Sequence, residues 1–329
     1  MTYKEFMETL TTSLPEYLPE ELSKRLTRRE IVTTNQTRNI LTLEGEPGKT
    51  SAAPVIYLDD VYTLYTENST GFTEVCKNVA VTLMDAMQRV PQIDSLEKQI
   101  SVDRVFMALI NLEENQEFLN SVPHRVFGDL AVIYKIIVTD GRMGQGTVTI
   151  SNPVMETQLG VSEKQLFEAA MKNMRDLYVV ERMEDAVGFL PPDERVKPKT
   201  FADLTGLPKD SMLYVLSNKD MVFGSGILLM KDKIRALSDY LENDLLLIPS
   251  SVHEIIAVLD KGDAELMKTC ISMVKDVNET VVDKKERLSN SVYRYDRKSD
   301  TIQVFTQDGE ARECVLKTEE EASSEMKTA

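Results

Sequence analysis

The order of apolar and polar positions divides the chain into short, alternating helix and strand signals. In "YKEFMETL" Phe6, Met7 and Leu10 share one helical face, and "PEYLPEELSKRL" uses Pro15 and Pro19 as helix-start punctuation, so two short amphipathic helices are expected first. "EIVTTNQTRNILTLEG" alternates on both sides of a turn-prone centre and predicts a hairpin with strands near 30–35 and 39–44. "APVIYLDDVYTLYTEN" reads as a short apolar segment leading into a helix. Over 73–90, Val75, Val79, Leu83 and Met87 recur every fourth residue beside Cys76, Ala80 and Met84, a wide apolar helical stripe. A strand over 102–112 and a short helix ending near Pro123 follow.

"DLAVIYKIIVTDGRMGQGTVTISN" gives the strongest sheet signal, two β-branched runs around a loop with Gly141, Gly144 and Gly146. The next helix starts on a capping-box pattern, Ser162 with Gln165 three residues on, and buries Leu166, Phe167, Ala170, Met171 and Met174. Residues 188–210 carry four prolines without periodicity and mark the expected domain boundary. Beyond it, "SMLYVLSN" and "GSGILLM" read as two strands joined by a polar turn. A helix over 232–242 capped by Asp232 follows, then "DLLLIPSSVHEIIAVLD", then a helix over 263–279 lined by Leu266, Met267, Cys270, Ile271, Val274 and Val277. Alternating strands close the fold, and the acidic tail "TEEEASSEMKTA" is expected to be disordered. Several adjacent strands are joined by turns too short for a parallel crossover. The predicted class is therefore α+β, with antiparallel or mixed sheets packed against amphipathic helices. The expected division is 1–190, 191–318 and a disordered 319–329.

Composition narrows the function. With 42% hydrophobic and 28% charged residues the chain is an ordinary globular one. Its net charge of −16 repels phosphate backbones, so direct nucleic-acid binding is disfavoured. The basic run "KRLTRRE" (24–30) reads as a solvated helix end. Cys76, Cys270 and Cys314 show no paired spacing, which fits a reducing compartment. No apolar run nears the ~20 residues of a membrane span. "MTYKEFMETL" lacks a signal-peptide pattern, so a cytoplasmic protein without membrane association is expected.

The familiar catalytic motifs are incomplete. "LEGEPGKTSA" has Leu43 where a phosphate-binding loop needs its first glycine. "GRMGQG" is followed by a strand, not by the helix whose N-terminus would hold a pyrophosphate. "HEIIA" places Ala257 where a zinc-protease motif needs its second histidine. No metal and no cofactor is expected. If the protein is an enzyme, the candidates are His253 and Glu254 with His124, and Ser250 or Ser251 as nucleophile. The plainer reading has Pro249 ending a buried strand, the serine pair bonding the turn backbone and His253 packing in the bend.

"INLEENQEFLNSVPHRVFGDLAVIYKIIV", "LYVLSNKDMVFGSGILLM", "LLIPSSVHEIIAV" and "RLSNSVYRYDR" together resemble the bacterial family known as domain of unknown function 5688, over about residues 30–310. The resemblance implies a soluble single-chain protein of gut-dwelling Gram-positive bacteria, often encoded near mobile elements. It assigns no activity and no catalytic residue. It does place His124, Ser250, Ser251, His253 and Glu254 inside its recognisable segments. The expected function is binding of a protein or small-molecule partner without catalysis. The alternatives are a hydrolase built on the Pro-Ser-Ser-Val-His-Glu corner and an acidic nucleic-acid mimic linked to mobile elements.

Overall fold

The computed structural model describes residues 1–329 except 45–52, 68–69, 90–97, 141–143, 189–193 and 327–329. The chain forms two compact units, residues 1–100 with 138–146, and residues 101–137 with 147–329. The main division falls near residue 100. The strands that flank the proline-rich segment 188–210 are neighbours in one sheet. Most of "LEGEPGKTSA" (45–52), the start of "GRMGQG" (141–143) and part of the proline-rich segment lie outside the described residues.

In the first unit α1 (Tyr3–Ser13) starts on a capping box: Thr2 Oγ1 accepts from the Glu5 N–H and the Glu5 carboxylate accepts from the Thr2 N–H. After a tight helical turn and α2 (Glu20–Ser23), β1 (Leu26–Thr33) and β2 (Gln36–Leu43) pair antiparallel. Asn35 in their turn adopts φ 62°, a left-handed conformation that asparagine tolerates better than most residues. The basic run "KRLTRRE" therefore lies mainly on β1, with Arg28 and Arg29 exposed, and is not a helix end. β3 (Val55–Tyr57) pairs with β2, followed by α3 (Leu58–Glu67) and α4 (Phe72–Arg89). Phe6, Leu10, Leu14, Leu41, Leu43 and Leu58 pack against Val75, Val79 and Leu83 of α4, the stripe read from the sequence.

The second unit holds two antiparallel sheets. β4 (Val105–Asn111), β5 (His124–Phe127), β6 (Leu130–Asp140) and β7 (Gly144–Thr149) belong to the first, except that the end of β6 and the start of β7, within 138–146, are counted with the first unit; α5 (Gln116–Leu119) lies between β4 and β5. Its strand order is β16–β5–β6–β4, with β7 also on β6 and β16 (Lys317–Thr318) supplied from the chain's far end. α6 (Glu163–Met174) covers one face. Ser162 and Gln165 form its capping box, as expected. The second sheet runs β15–β14–β13–β11–β12–β10–β8–β9. Its members are β8 (Tyr178–Arg182), β9 (Lys199–Thr200), β10 (Leu213–Asn218), β11 (Asp244–Ser251), β12 (Glu254–Asp260), β13 (Val292–Asp296), β14 (Thr301–Phe305) and β15 (Ala311–Glu313). α7 (Met183–Ala186), α8 (Lys231–Leu241) and α9 (Ala264–Thr280) are inserted between them. The class is α+β, as the short connections predict.

Three expectations are corrected here. "GSGILLM" is a 3₁₀ helix over Gly224–Leu229, not a strand: Gly224 to Leu228 are all buried, with no alternating exposed face. Asp232 lies in the first turn of α8, whose N-cap is Met230. The tail is ordered through α10 (Glu319–Met326), because Thr318 and Glu321 form a further capping box: the Thr318 N–H donates to the carboxylate and Thr318 Oγ1 accepts from the Glu321 N–H.

Candidate functional site

The Pro-Ser-Ser-Val-His-Glu corner is the end of the β11–β12 hairpin. β11 does not stop at Pro249. Pro249 pairs with Ile255 and Ser251 with Glu254, so Ser250 is the extra residue of a β-bulge. A proline fits there because it has no N–H to give to the ladder. The chain then turns through Val252 and His253, and nearly every polar group of the turn has a partner. The Val252 N–H donates to the Glu286 carbonyl (2.9 Å), and the Val252 carbonyl accepts from Ser225 Oγ (2.8 Å). The His253 N–H donates to Ser251 Oγ (3.0 Å), and its carbonyl accepts from Ser217 Oγ (2.8 Å). His253 Nδ1 accepts from the Phe223 N–H at 3.3 Å, which puts the proton of the neutral ring on Nε2. The ring leans on Phe223, centroids 5.7 Å apart. Ser250 Oγ donates to Glu254 Oε1 at 3.1 Å.

His124 sits on β5 in the other sheet of this unit, opposite Ile133. It is buried, Nδ1 donates to the Val122 carbonyl (3.1 Å), and Glu319 of α10 stands 4.0 Å from the same nitrogen. Its partners and those of His253 do not overlap. Among the described residues no group of three His, Cys, Asp or Glu is placed to hold a metal ion. Nor is any helix among them long and apolar enough to cross a membrane.

A cavity of about 240 Å³ opens on the α9 side of the eight-stranded sheet. Ile248, Pro249 and Ser250 of β11, Ile256 and Val258 of β12, and Leu213 of β10 form its floor, with Met183 of α7 at one side. Leu266, Cys270, Met273, Val274 and Val277 of α9 form its roof. Met273 and Val277 remain 48% and 40% exposed at the mouth. The polar lining is Ser250, Thr269 and Asn278. Ser250 is engaged with Glu254, and Asn278 donates to the Ser289 carbonyl and to Asn290 Oδ1. Burial pushes the Cys270 thiol above its ordinary pKa, so it lines the wall as a small apolar group. Of the residues that sequence reading singles out, Ser250 lines this cavity with Pro249. His124, His253, Glu254 and Ser251 do not.

On the same sheet face, Arg294 of β13 binds Asp260 through Nε (2.6 Å), Asp244 at 2.7 Å and Asp296 at 3.3 Å, joining β11, β12 and β13. On the opposite face Tyr293 donates to Asp129, which also accepts from Ser289 Oγ (2.5 Å). Neither tyrosine of the Tyr-Arg-Tyr-Asp segment reaches the cavity: Tyr295 donates to Asp300 at 2.8 Å, and the Arg235 guanidinium with Tyr295 and Lys231 holds that carboxyl down at about 2.

The apolar mouth is legible only in part. The stripe along α9 includes Val277, but Met273 falls outside the face assigned to the core, and Met183 and Leu213 give no signal before the strands are paired. No curated protein and no solved structure matches the chain. A family model matches residues 3–297, and the chain belongs to that family, DUF5688, a family of unknown function.

Proposed function

We propose that the protein is a non-catalytic binding protein that takes a small apolar ligand into the cavity beneath α9. The observation that carries this reading is the lining: about 240 Å³ walled mainly by aliphatic and methionine side chains, with polar side chains only at Ser250, Thr269 and Asn278. Scaled from an engineered cavity of ~150 Å³ that holds benzene, the space suits a group of roughly ten non-hydrogen atoms. The hydrolase alternative, with His253 or His124 as its base, needs an imidazole on the serine hydroxyl. Ser250 instead donates to Glu254, Ser251 accepts from the His253 N–H, and His253 Nδ1 is occupied by the Phe223 N–H. The mimic alternative needs a stripe of free carboxylates. Asp244, Asp260 and Asp296 converge on Arg294, and Asp300 on Arg235 and Lys231.

The test is a fluorescence titration with 1-naphthylamine, a neutral apolar reporter of a size that the cavity admits, on the full chain and on Cys270→Phe, which fills the cavity from its roof. Saturable binding by the parent and at least tenfold weaker binding by a folded variant are expected. Absence of binding, or equal binding by both proteins, would overturn the reading.

A further inference from the structure

The second unit carries one cationic side chain in a place where cations are rarely kept. Lys135 lies on β6, is 8% exposed, and faces Phe106 across the β4–β6 ladder. Its Nζ donates to Thr149 Oγ1 at 2.8 Å and sits 4.7 Å from the centre of the Phe223 ring. Beyond Phe223 stands the His253 imidazole, the titratable group nearest in this stack. Among the described residues no carboxylate reaches Nζ, whereas Lys24, Lys231, Lys268 and Lys285 each lie within 3.2 Å of one at the surface. Burial alone pushes Lys135 down to about 8, and no charged neighbour contributes.

Its cover is strained. Phe223 and Met221 both adopt φ 53°, a left-handed conformation that bulky side chains rarely take, and Met221 and Val222 are 41% and 40% exposed. Such strain concentrates at ligand clamps and switch segments. A desolvated amine without a counter-ion, beside a hydroxyl and under an aromatic ring, has the environment of an imine-forming lysine.

We propose that Lys135 binds a small aldehyde or ketone covalently, as a reversible imine, in a site separate from the cavity beneath α9. The ammonium first gives one proton to water; the Nζ lone pair then attacks the carbonyl carbon, and the C=O π pair moves to oxygen. A proton passes from nitrogen to that oxygen, with the Thr149 hydroxyl placed to relay it. The carbinolamine then loses water as the C=N bond forms, so one amine and one carbonyl give one imine and one water, with no redox change. The imine takes back one proton from water, and its positive charge then lies over the Phe223 ring, where the ammonium sat. This proposal does not depend on the apolar-ligand reading, because the two sites share no residue.

The test is brief exposure of the full chain at pH 7 to propanal with sodium cyanoborohydride, which reduces the imine to a stable secondary amine. Peptide mass mapping after Glu-C digestion then locates the label. Lys135 is expected to react at least tenfold faster than any other lysine. Lys135→Arg should lose that fast label while surface labelling stays unchanged, and Phe223→Ala should quicken labelling by removing the cover. Labelling of surface lysines with Lys135 spared, or at the same rate as Lys135, overturns the proposal. The parent protein alone decides this if a variant fails to fold.

Discussion

Replacing Lys135 by methionine, which keeps the length and removes the charge, should stabilise the protein at neutral pH. Burial lowers this lysine from the ordinary 10.5 to about 8, so the folded state holds its proton less tightly than the unfolded chain. At 1.36 kcal/mol per pKa unit, the charged form carries a penalty of ~3 kcal/mol in the fold. The sign follows from proton counting: between about pH 8 and 10.5 the unfolded chain binds more protons, so the lysine's contribution improves as pH rises through this window. Below pH 8 the penalty is present in full, and above 10.5 it is gone. After allowance for the lost bond to Thr149 (~1 kcal/mol), Lys135→Met should gain about 2 kcal/mol at pH 7, with the gain fading towards pH 10. Urea unfolding of both proteins at pH 7, 8, 9 and 10, followed by circular dichroism, measures the difference directly. A variant less stable at pH 7, or a difference independent of pH, would refute the reasoning. A confirmed gain would identify Lys135 as a residue held against stability, the usual relation between a functional site and its fold.

Two further substitutions test how the corner and the sheet are held. A Cβ on Gly224 would lie 2.1 Å from Ser217 Oγ and 2.5 Å from the His253 carbonyl oxygen, so Gly224→Ala should cost about 3 kcal/mol or more in urea unfolding. Gly226→Ala should cost less, because its nearest neighbours are the ends of the Tyr178 and Met174 side chains. Arg294→Met would leave the nearly buried Asp260 facing Asp244 and Asp296 without its cation, a loss of about 2–4 kcal/mol that Arg294→Met/Asp260→Leu should partly restore. A full loss in the double variant would argue against that account.

Elements with a single buried face were legible in the sequence, and those buried on all sides were not. The stripes of α4 and α6 and the hairpin around Asn35 could be read because their apolar residues repeat at 3.6 or 2 against a polar background. "GSGILLM" offers no such contrast. Its glycines serve close approach: Gly224 meets Ser217 and His253, and Gly226 meets Tyr178, contacts that exist only once β10 and β12 are side by side. The tail misled for the opposite reason. Its composition is that of a disordered segment, yet Lys317 and Thr318 pair with β5 and the next residues continue as a capped helix. The site divides similarly. The corner's structural role follows from its residue types, since serines and a proline at a hairpin end predict backbone bonding. The cavity was hidden because its walls come from β10, β11, β12, α7 and α9, brought together by pairing order that no local pattern encodes.

The corner and the cavity are one construction. In a regular strand, neighbouring side chains point to opposite faces, so alternate residues face the same side of a sheet. Ile248 and Ser250 follow that alternation onto the cavity floor, where Pro249 joins them, and the bulge falls at this point: the ladder passes from the Pro249–Ile255 pair to the Ser251–Glu254 pair with Ser250 between them. Deleting Ser250 leaves those two pairs adjacent and the turn through Val252 and His253 intact, so the hairpin should still form. The floor of the cavity would lose Ser250, one of its lining residues beneath α9. The variant should therefore fold, by circular dichroism, while binding 1-naphthylamine at least several-fold more weakly than the parent. Unchanged affinity in a folded deletion variant would separate the bulge from the cavity and remove the link between the corner and ligand binding.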